Sequence, residues 1–240
     1  MDDKQSVVIT GGSAGIGLKI IEHLLAAGYR VVNLARRVVP LVSPSVINYE
    51  IDLTDRDALA EICTQLSAGG AHTFIHNAGL VQPSPIGDVS LADLDMLNQL
   101  HLGAAVQIVQ ALIPGMKAAR FGRILIMSSR ASVGMAMRTS YAATKAGQIA
   151  MARTWALELA EFGITVNTVA PGPIEATEMF HALMPEKSQE IEAMAAKTPV
   201  KRLGLPDDVA RAVMFFIDRE NGFVTGQNLF VCGGTSMGSI

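Results

Sequence analysis

The chain has 240 residues and a mass of 25.4 kDa, a length that one large α/β domain accounts for as well as two small domains. Half of the residues are hydrophobic and only 17% are charged, which excludes an intrinsically disordered chain. A formal net charge of −3, without a basic stripe, excludes the electrostatic surface that holds nucleic acid. We therefore expect a densely packed globular protein that does not bind nucleic acid.

The cysteines and the N-terminal segment bear on the cellular compartment. Cys63 and Cys232 are far apart, and neither has a Cys or His at metal-ligand spacing. This pattern predicts no metal site and no disulfide framework, and it is typical of a reducing compartment. The charged start MDDKQS does not resemble a signal peptide, and no uninterrupted apolar run approaches the roughly 18 residues of a spanning helix. We expect a cytoplasmic protein without a membrane partner.

Short apolar runs alternate with longer segments of helical spacing along the chain. A strand is predicted at 7–10, followed by a helix whose apolar residues extend from Ile16 to Leu25. Further strands are predicted at 30–35, 46–51, 73–76, 123–128, 164–169 and 228–231, and further helices at 55–67, 90–119, 140–161 and 206–217. The strands are continuously apolar, as strands covered on both faces are. The pattern predicts an α/β fold with a doubly wound parallel sheet in a single domain, residues 1–240.

The longest stretch without a clear element runs from Pro171 to Pro199. It has a weak helical pattern and also contains Pro173 and Pro185. Insertions of this length in compact domains are usually functional, so we predict a substrate lid at 171–199. The alternative is a surface segment with no part in catalysis.

A glycine-rich turn, TGGSAGIG at 10–17, lies between the first predicted strand and helix. Gly11 permits the tight turn, Gly15 lets a phosphate approach the backbone, and Gly17 allows close packing of the helix. The free N–H groups and positive dipole at the helix start attract a pyrophosphate. We expect the turn to bind a dinucleotide through Gly11, Ser13, Gly15, Ile16 and Gly17; the alternative is a purely structural turn.

The end of the second strand indicates which dinucleotide binds. An acidic residue there would accept hydrogen bonds from a ribose 2′-hydroxyl, whereas a cation would bind a 2′-phosphate. The segment Asn33-Leu-Ala-Arg-Arg37 has no carboxylate, and its guanidiniums suit phosphate. Arg36 and Arg37 therefore favour NADP(H). NAD(H) is the alternative if both arginines belong only to a solvated loop.

Tyr141 and Lys145 are four residues apart in a predicted helix and so share one face. A phenol, with a pKa of about 10, is a poor acid or base at neutral pH, and a nearby ammonium would lower that pKa. Ser128 and Ser129 end a predicted strand, where ligands of doubly wound sheets bind. The four residues are candidates for acid-base chemistry.

In order and spacing, these motifs resemble the short-chain dehydrogenase/reductase family over essentially the whole chain. The matching pieces are TGGSAGIG at 10–17, Asp52-Leu53, Asn77-Ala-Gly79, Ser128-Ser129, Tyr141-Ala-Ala-Thr-Lys145, Pro171-Gly-Pro-Ile174 and TGQNLFVCGG at 225–234. The resemblance implies a Rossmann-type sheet of about seven strands, usually in a homotetramer or homodimer. It also implies hydride exchange between NAD(P) and a carbonyl or alcohol.

The resemblance further implies residue roles. Tyr141 would donate the proton in reduction, Lys145 would hold the nicotinamide ribose and lower the pKa of Tyr141, and a serine would bind the substrate oxygen. The implied cofactor-binding residues, beyond those of the glycine turn and Arg36 and Arg37, are Asp52, Leu53, Asn77, Ala78, Gly79, Tyr141, Lys145, Pro171, Gly172, Ile174 and Thr177.

The chain departs from the family pattern at several positions. Counting back 13 residues from Tyr141, the common family spacing, selects Ser128, whereas counting seven forward from Gly122 selects Ser129. We prefer Ser129, because a deletion of one residue in the loop before Tyr141 disturbs the fold less than a shift of the buried strand, which would turn every side chain to the other face. His101 replaces the usual asparagine and is either a proton relay or an interior histidine. The loop before Thr177 is one residue longer than usual, which puts its contact in doubt, and Cys232 replaces a common aspartate.

Three hypotheses for function remain at this stage. The first is an NADP-dependent enzyme that interconverts a small-molecule carbonyl and a secondary alcohol. The second is an NAD-linked alcohol or diol dehydrogenase, and the third is a dinucleotide-binding sensor without turnover. Five methionines could line an apolar substrate pocket or simply fill core gaps: Met135, Met137, Met179, Met184 and Met194. Arg130 and Arg138 could bind a substrate anion or belong to solvated loops.

Overall fold

A seven-stranded parallel sheet forms the centre of the molecule. The computed structural model describes residues 6–184 and 188–237. In this part of the chain, the strand order is β3-β2-β1-β4-β5-β6-β7, and every neighbouring pair is parallel. The strands are β1 Ser6–Thr10, β2 Arg30–Ala35, β3 Val46–Glu50, β4 Thr73–His76, β5 Gly122–Met127, β6 Ile164–Pro171 and β7 Asn228–Val231. The prediction of a doubly wound parallel sheet is confirmed.

Helices cover both faces of the sheet. They are α1 Gly15–Ala26, α2 Arg56–Ala68, α3 Leu91–Asn98, α4 Ala104–Ala119, α5 Thr139–Leu159, α6 Glu178–Leu183, α7 Ser188–Lys197 and α8 Pro206–Ile217. The single helix predicted at 90–119 is α3 and α4 joined by a π-helical turn, Gln99–Gly103, which the apolar periodicity did not indicate. Such turns are rare and concentrate at functional sites.

The alternation of side chains along the strands creates two apolar layers. Val8, Phe74 and Ile124 face one side and pack under α2, α4 and α5. Ile9 and Ile75 face the other side, under α1 and α8. Because every central strand is buried on both faces, the strands read as continuous apolar runs.

The segment 171–199 contains two helices, so the prediction of a stretch without clear elements was wrong here. The Thr177 hydroxyl accepts a hydrogen bond from the Phe180 amide and starts α6, and α7 ends before Pro199. Prolines 171, 173 and 199 flank the helices and do not interrupt them. Pro185 lies outside the described residues.

One helical run in the described ranges has the length and composition of a membrane-crossing helix. It is Leu91–Ala119, with a mean hydropathy of 1.3 over its most apolar 18-residue window, of which 33% is buried. Ile108, Leu112 and Met116 of this run are buried in the layer under α2 and α5. A core helix of a soluble protein passes the same test, so the run is weak evidence for a membrane span.

Candidate active site

Two adjoining cavities open at the carboxyl ends of the central strands. One, of about 810 Å³, is lined by residues from the ends of β5 and β6, from α5, and from the 171–199 segment. The other, of about 460 Å³, lies over the glycine turn and the ends of β2 and β3. Asn77, Gly79 and Thr177 line both cavities, so a long ligand can extend from one into the other. This is the position at which doubly wound sheets bind ligands.

The glycine turn is held by buried polar groups. The Gly12 amide donates to Asn33 Oδ1 at 2.9 Å, and Asn77 Nδ2 donates to the Gly11 carbonyl at 2.9 Å. Gly15 has a φ of +54°, and a Cβ at Gly17 would overlap the Gly11 carbonyl. Sequence reasoning assigned no role to Asn33, which is fully buried; the available signal was an asparagine within the apolar run Val31 to Ala35.

The Thr10 hydroxyl supports the same turn from β1. It accepts hydrogen bonds from the Asn77 and Ala78 amides, both at 3.0 Å, and therefore donates its own hydrogen to His76 Nδ1 at 3.1 Å. Burial lowers the pKa of His76 to about 3, so its ring is neutral at physiological pH. His76 therefore contributes to the support beneath Asn77 and Ala78.

Arg36 and Arg37 line the smaller cavity, beside the glycine turn. Asp52 and Leu53 line it as well. Hydrogen bonds from the Thr54 amide and hydroxyl to Asp52 Oδ1 hold the pKa of that carboxyl below its usual value. Arg37 forms an ion pair with Glu178, a residue that sequence reasoning missed because 141 positions separate the partners.

Lys145 extends from α5 into the floor of the larger cavity. Its ammonium donates to the Met127 carbonyl at 2.6 Å, and the residue is 3% exposed. Because burial penalises the charged form, the pKa of Lys145 falls to about 7. Nζ lies 5.6 Å from the centre of the Tyr141 ring.

Tyr141 lies above Lys145 on the same helix face. Burial raises the pKa of Tyr141, while hydrogen bonding with the Ser129 side chain and the charge of Arg138 oppose the rise. The expectation that Lys145 lowers this pKa is not met in this geometry, because the lysine is directed at Met127 and burial of the phenol dominates.

The two serines at the end of β5 have different surroundings. Ser128 also lines the larger cavity, but it is 4% exposed and its hydroxyl donates to the Lys145 carbonyl at 2.8 Å. Ser129 is extended, lines the larger cavity, and its hydroxyl accepts from the Ala131 amide at 3.1 Å while interacting with Tyr141. The geometry places Ser129 beside the phenol and ties Ser128 to the backbone of α5.

His101 lies in the π-helical turn, fully buried beside Tyr141. The Thr144 hydroxyl donates to the Tyr141 carbonyl at 3.0 Å and so accepts from His101 Nδ1 at 2.8 Å. Nε2 accepts from the Leu80 amide at 3.4 Å. Burial, with the nearby charge of Lys145, lowers the pKa of His101 far below its usual value. Both ring nitrogens of this neutral histidine are engaged within the fold.

The remaining predicted residues also gather around the cavities. Pro171, Gly172, Ile174 and Thr177 line the larger cavity. The Thr177 hydroxyl caps α6 and donates to the Ile174 carbonyl at 3.1 Å, so the longer loop still brings this threonine beside the glycine turn. Ile16 lines both cavities, and the smaller cavity is also lined by Gly11, Ser13, Gly15, Gly17 and Ala78.

The outer part of the larger cavity has an apolar lining with positive charges. Four of the five methionines named from the sequence line it, and Met137 does not. With Met127 added, the methionines of the lining are Met127, Met135, Met179, Met184 and Met194. Phe180 and Val81 add apolar surface. Three cations and one carboxylate also line the cavity: Arg130, Arg138, Lys197 and Glu190. Apolar and flexible side chains of this kind are typical of sites for partly apolar small molecules.

Comparisons with known proteins find relatives that match almost the whole chain. The family model described as enoyl-(acyl carrier protein) reductase matches residues 11–236. Subunit BbsD of (2S)-[(R)-hydroxy(phenyl)methyl]succinyl-CoA dehydrogenase from Thauera aromatica is 34% identical over 96% of each chain. The 3-oxoacyl-[acyl-carrier-protein] reductase MabA from Mycobacterium tuberculosis is 33% identical over 98% of this chain and 94% of its own.

A solved structure supports the fold. YwfH, described as an NADPH-dependent reductase involved in bacilysin biosynthesis, superposes with a TM-score of 0.88 at 25% identity, over 99% of this chain and all of its own. The chain belongs to the short-chain dehydrogenase/reductase family of NAD(P)-dependent oxidoreductases.

Proposed function

We propose that this protein is an NADP(H)-dependent oxidoreductase that reduces a carbonyl group to a secondary alcohol. The observation that carries the proposal is the meeting of Tyr141, Lys145 and Ser129 in one cavity, directly beside the cavity of the glycine turn. Arg36 and Arg37 support NADP(H) over NAD(H), because they follow β2 where an NAD-specific site needs a carboxylate.

The coenzyme would lie across both cavities. Residues of the glycine turn would hold the pyrophosphate, Asn77 to Gly79 would line the coenzyme, and Ile174 and Thr177 would flank the carboxamide. Lys145, fixed by the Met127 carbonyl, would bind the nicotinamide ribose. When bound, NADPH supplies the hydride that reduces the substrate carbon.

The protein's own residues handle the oxygen of the substrate. Ser129 donates a hydrogen bond that orients the carbonyl, and Tyr141 transfers its phenolic proton to the oxygen as negative charge develops there. The new C–H and O–H bonds replace the carbonyl π bond, and the Tyr141 phenolate regains a proton from solvent. A raised pKa keeps Tyr141 protonated, which suits a proton donor.

We assign His101 a positioning role. Its bonds to Thr144 and to the Leu80 amide join α5 to the loop after β4, and Tyr141 and Gly79 lie on those same two segments. The proton-relay alternative requires one of these two hydrogen bonds to break.

For the substrate we propose a 3-oxoacyl thioester. The apolar lining of the larger cavity suits an acyl chain, and Arg130, Arg138 and Lys197 suit an anionic carrier. Two relatives are named for thioester substrates, one on coenzyme A and one on acyl carrier protein.

A coenzyme-oxidation assay tests both parts of this proposal. NADPH and NADH are each offered with acetoacetyl-CoA, crotonyl-CoA and a panel of simple ketones. We expect consumption of NADPH, faster than of NADH, with acetoacetyl-CoA. Turnover of crotonyl-CoA alone would mean reduction of a carbon–carbon double bond, and coenzyme binding without turnover of any carbonyl would contradict the enzymatic proposal.

The proposal extends to assembly and location. A homodimer or homotetramer would cover exposed apolar side chains such as Leu157 and Phe223. Sedimentation at several concentrations tests this, and a monomer throughout contradicts it. Cys63 and Cys232 are both buried and unpaired, which suits the reducing cytoplasm.

A further inference from the structure

The ion pair between Arg37 and Glu178 joins the loop after β2 to the start of α6, and both residues line the smaller cavity. Arg37 Nη2 lies 3.0 Å from Glu178 Oε1 and 2.8 Å from Oε2. Arg37 follows β2, and Glu178 is the first residue of α6 in the proposed lid. The side chains are 60% and 67% exposed, so the pair contributes little to the stability of the fold.

The charges around this pair are balanced. The hydrogen bond from Arg37, with a smaller effect of the Arg36 charge, lowers the pKa of Glu178. The hydrogen bonds from Thr54, with a smaller effect of the Arg36 charge, lower the pKa of Asp52. All four side chains line the smaller cavity. Asp52 is bonded to Thr54 of its own loop, whereas Glu178 is directed at Arg37 from the opposite wall.

We propose that Glu178 determines coenzyme specificity by competing with the 2′-phosphate of NADP(H) for Arg37. The inference rests on the proposed function, which assigns that phosphate to Arg36 and Arg37. A carboxylate and a phosphate need the same guanidinium donors, so the phosphate must displace Glu178 or share Arg37 with it. A coenzyme without a 2′-phosphate leaves the pair closed. Where the phosphate displaces Glu178, binding of NADP(H) separates α6 from the loop after β2, and binding of NAD(H) does not.

The substitution Glu178→Gln tests the competition because it removes the charge and keeps the shape. Dissociation constants for NADP⁺, NAD⁺, 2′,5′-ADP and 5′-AMP are measured by calorimetry on the full chain. We expect NADP⁺ and 2′,5′-ADP to bind between about 1.5-fold and 5-fold more tightly to the variant, the range that an exposed ion pair supports. Binding of NAD⁺ and 5′-AMP should stay unchanged.

Two further variants control for other causes. Glu192→Gln removes a carboxylate from α7 that does not line the smaller cavity, and it should leave all four constants unchanged. In an Arg37→Gln background, Glu178→Gln should lose its selective effect, because the partner is gone.

The outcomes separate the two proposals. If the unmodified protein binds 2′,5′-ADP no more tightly than 5′-AMP, the assignment of NADP(H) itself fails. If it prefers 2′,5′-ADP but Glu178→Gln leaves that preference unchanged, or alters all four ligands equally, the competition is overturned while the coenzyme assignment stands.

Discussion

At the scale of single residues, the end of β5 separates two neighbouring hydroxyls. Successive side chains of an extended chain point to opposite faces. Ser128 accordingly reaches the backbone of α5, and Ser129 lies beside Tyr141 in the cavity. The two residues are of the same type, and only their surroundings give them different expected roles.

We predict that Ser129→Ala lowers kcat by about 100-fold or more, the cost of removing one hydrogen-bond donor to a developing oxyanion. Ser128→Ala should keep kcat within about threefold and lower the free energy of unfolding by roughly 1 kcal/mol, because a buried hydrogen bond is lost. Steady-state kinetics and urea denaturation measure the two effects. The reverse pattern would assign the substrate contact to Ser128.

Because Lys145 is buried, we predict that the free energy of unfolding depends on pH. Its pKa falls from 10.5 to about 7 on folding, so between these values the unfolded state binds more protons than the folded state. The free energy of unfolding contributed by this group therefore rises with pH, by as much as about 1.4 kcal/mol per pH unit.

Lys145→Met removes this dependence. Relative to the unmodified protein, the variant should gain most stability near pH 7, and the gain should shrink towards about pH 9. Urea denaturation without coenzyme across this range measures the difference. A gain that is constant with pH would show that the lysine does not change its pKa on folding.

At the scale of elements, the junction of β1 and α1 depends on space for the backbone. A Cβ at Gly17 would overlap the Gly11 carbonyl and lie 2.5 Å from Asn77 Nδ2. Alanine favours a helix by about 1 kcal/mol over glycine, but this overlap costs about 1–3 kcal/mol and moves the turn that would hold the pyrophosphate.

We therefore predict that Gly17→Ala weakens NADP⁺ binding by at least about tenfold and does not stabilise the protein. Gly87→Ala is the matched control, since its added Cβ meets nothing within 4 Å beyond the neighbouring parts of its own chain. Calorimetry and thermal unfolding test both variants. Unchanged coenzyme affinity in Gly17→Ala would contradict the placement of the pyrophosphate.

At the scale of the whole molecule, the regular parts of the fold were predictable and the contacts between distant segments were not. Continuous apolar strands alternating with helical patterns sufficed for a doubly wound sheet, and motifs at strand ends located the cavities. Sequence spacing could not show that Lys145 turns to Met127, because that depends on how α5 lies on β5. It also could not join Arg37 to Glu178 across 141 positions, or reveal the π-helical turn around His101.

The proposed function has one chemical consequence for the whole molecule: the proton for the substrate oxygen would come from Tyr141. Tyr141→Phe keeps the ring and removes the hydroxyl, so it should preserve packing beside His101.

The most direct test is to measure kcat for carbonyl-dependent oxidation of NADPH, and the dissociation constant of NADP⁺, in Tyr141→Phe and the unmodified protein. We predict a loss of kcat of about 100-fold to 10,000-fold, the usual contribution of a positioned acid, with NADP⁺ affinity within about twofold. Turnover close to that of the unmodified protein would contradict the account.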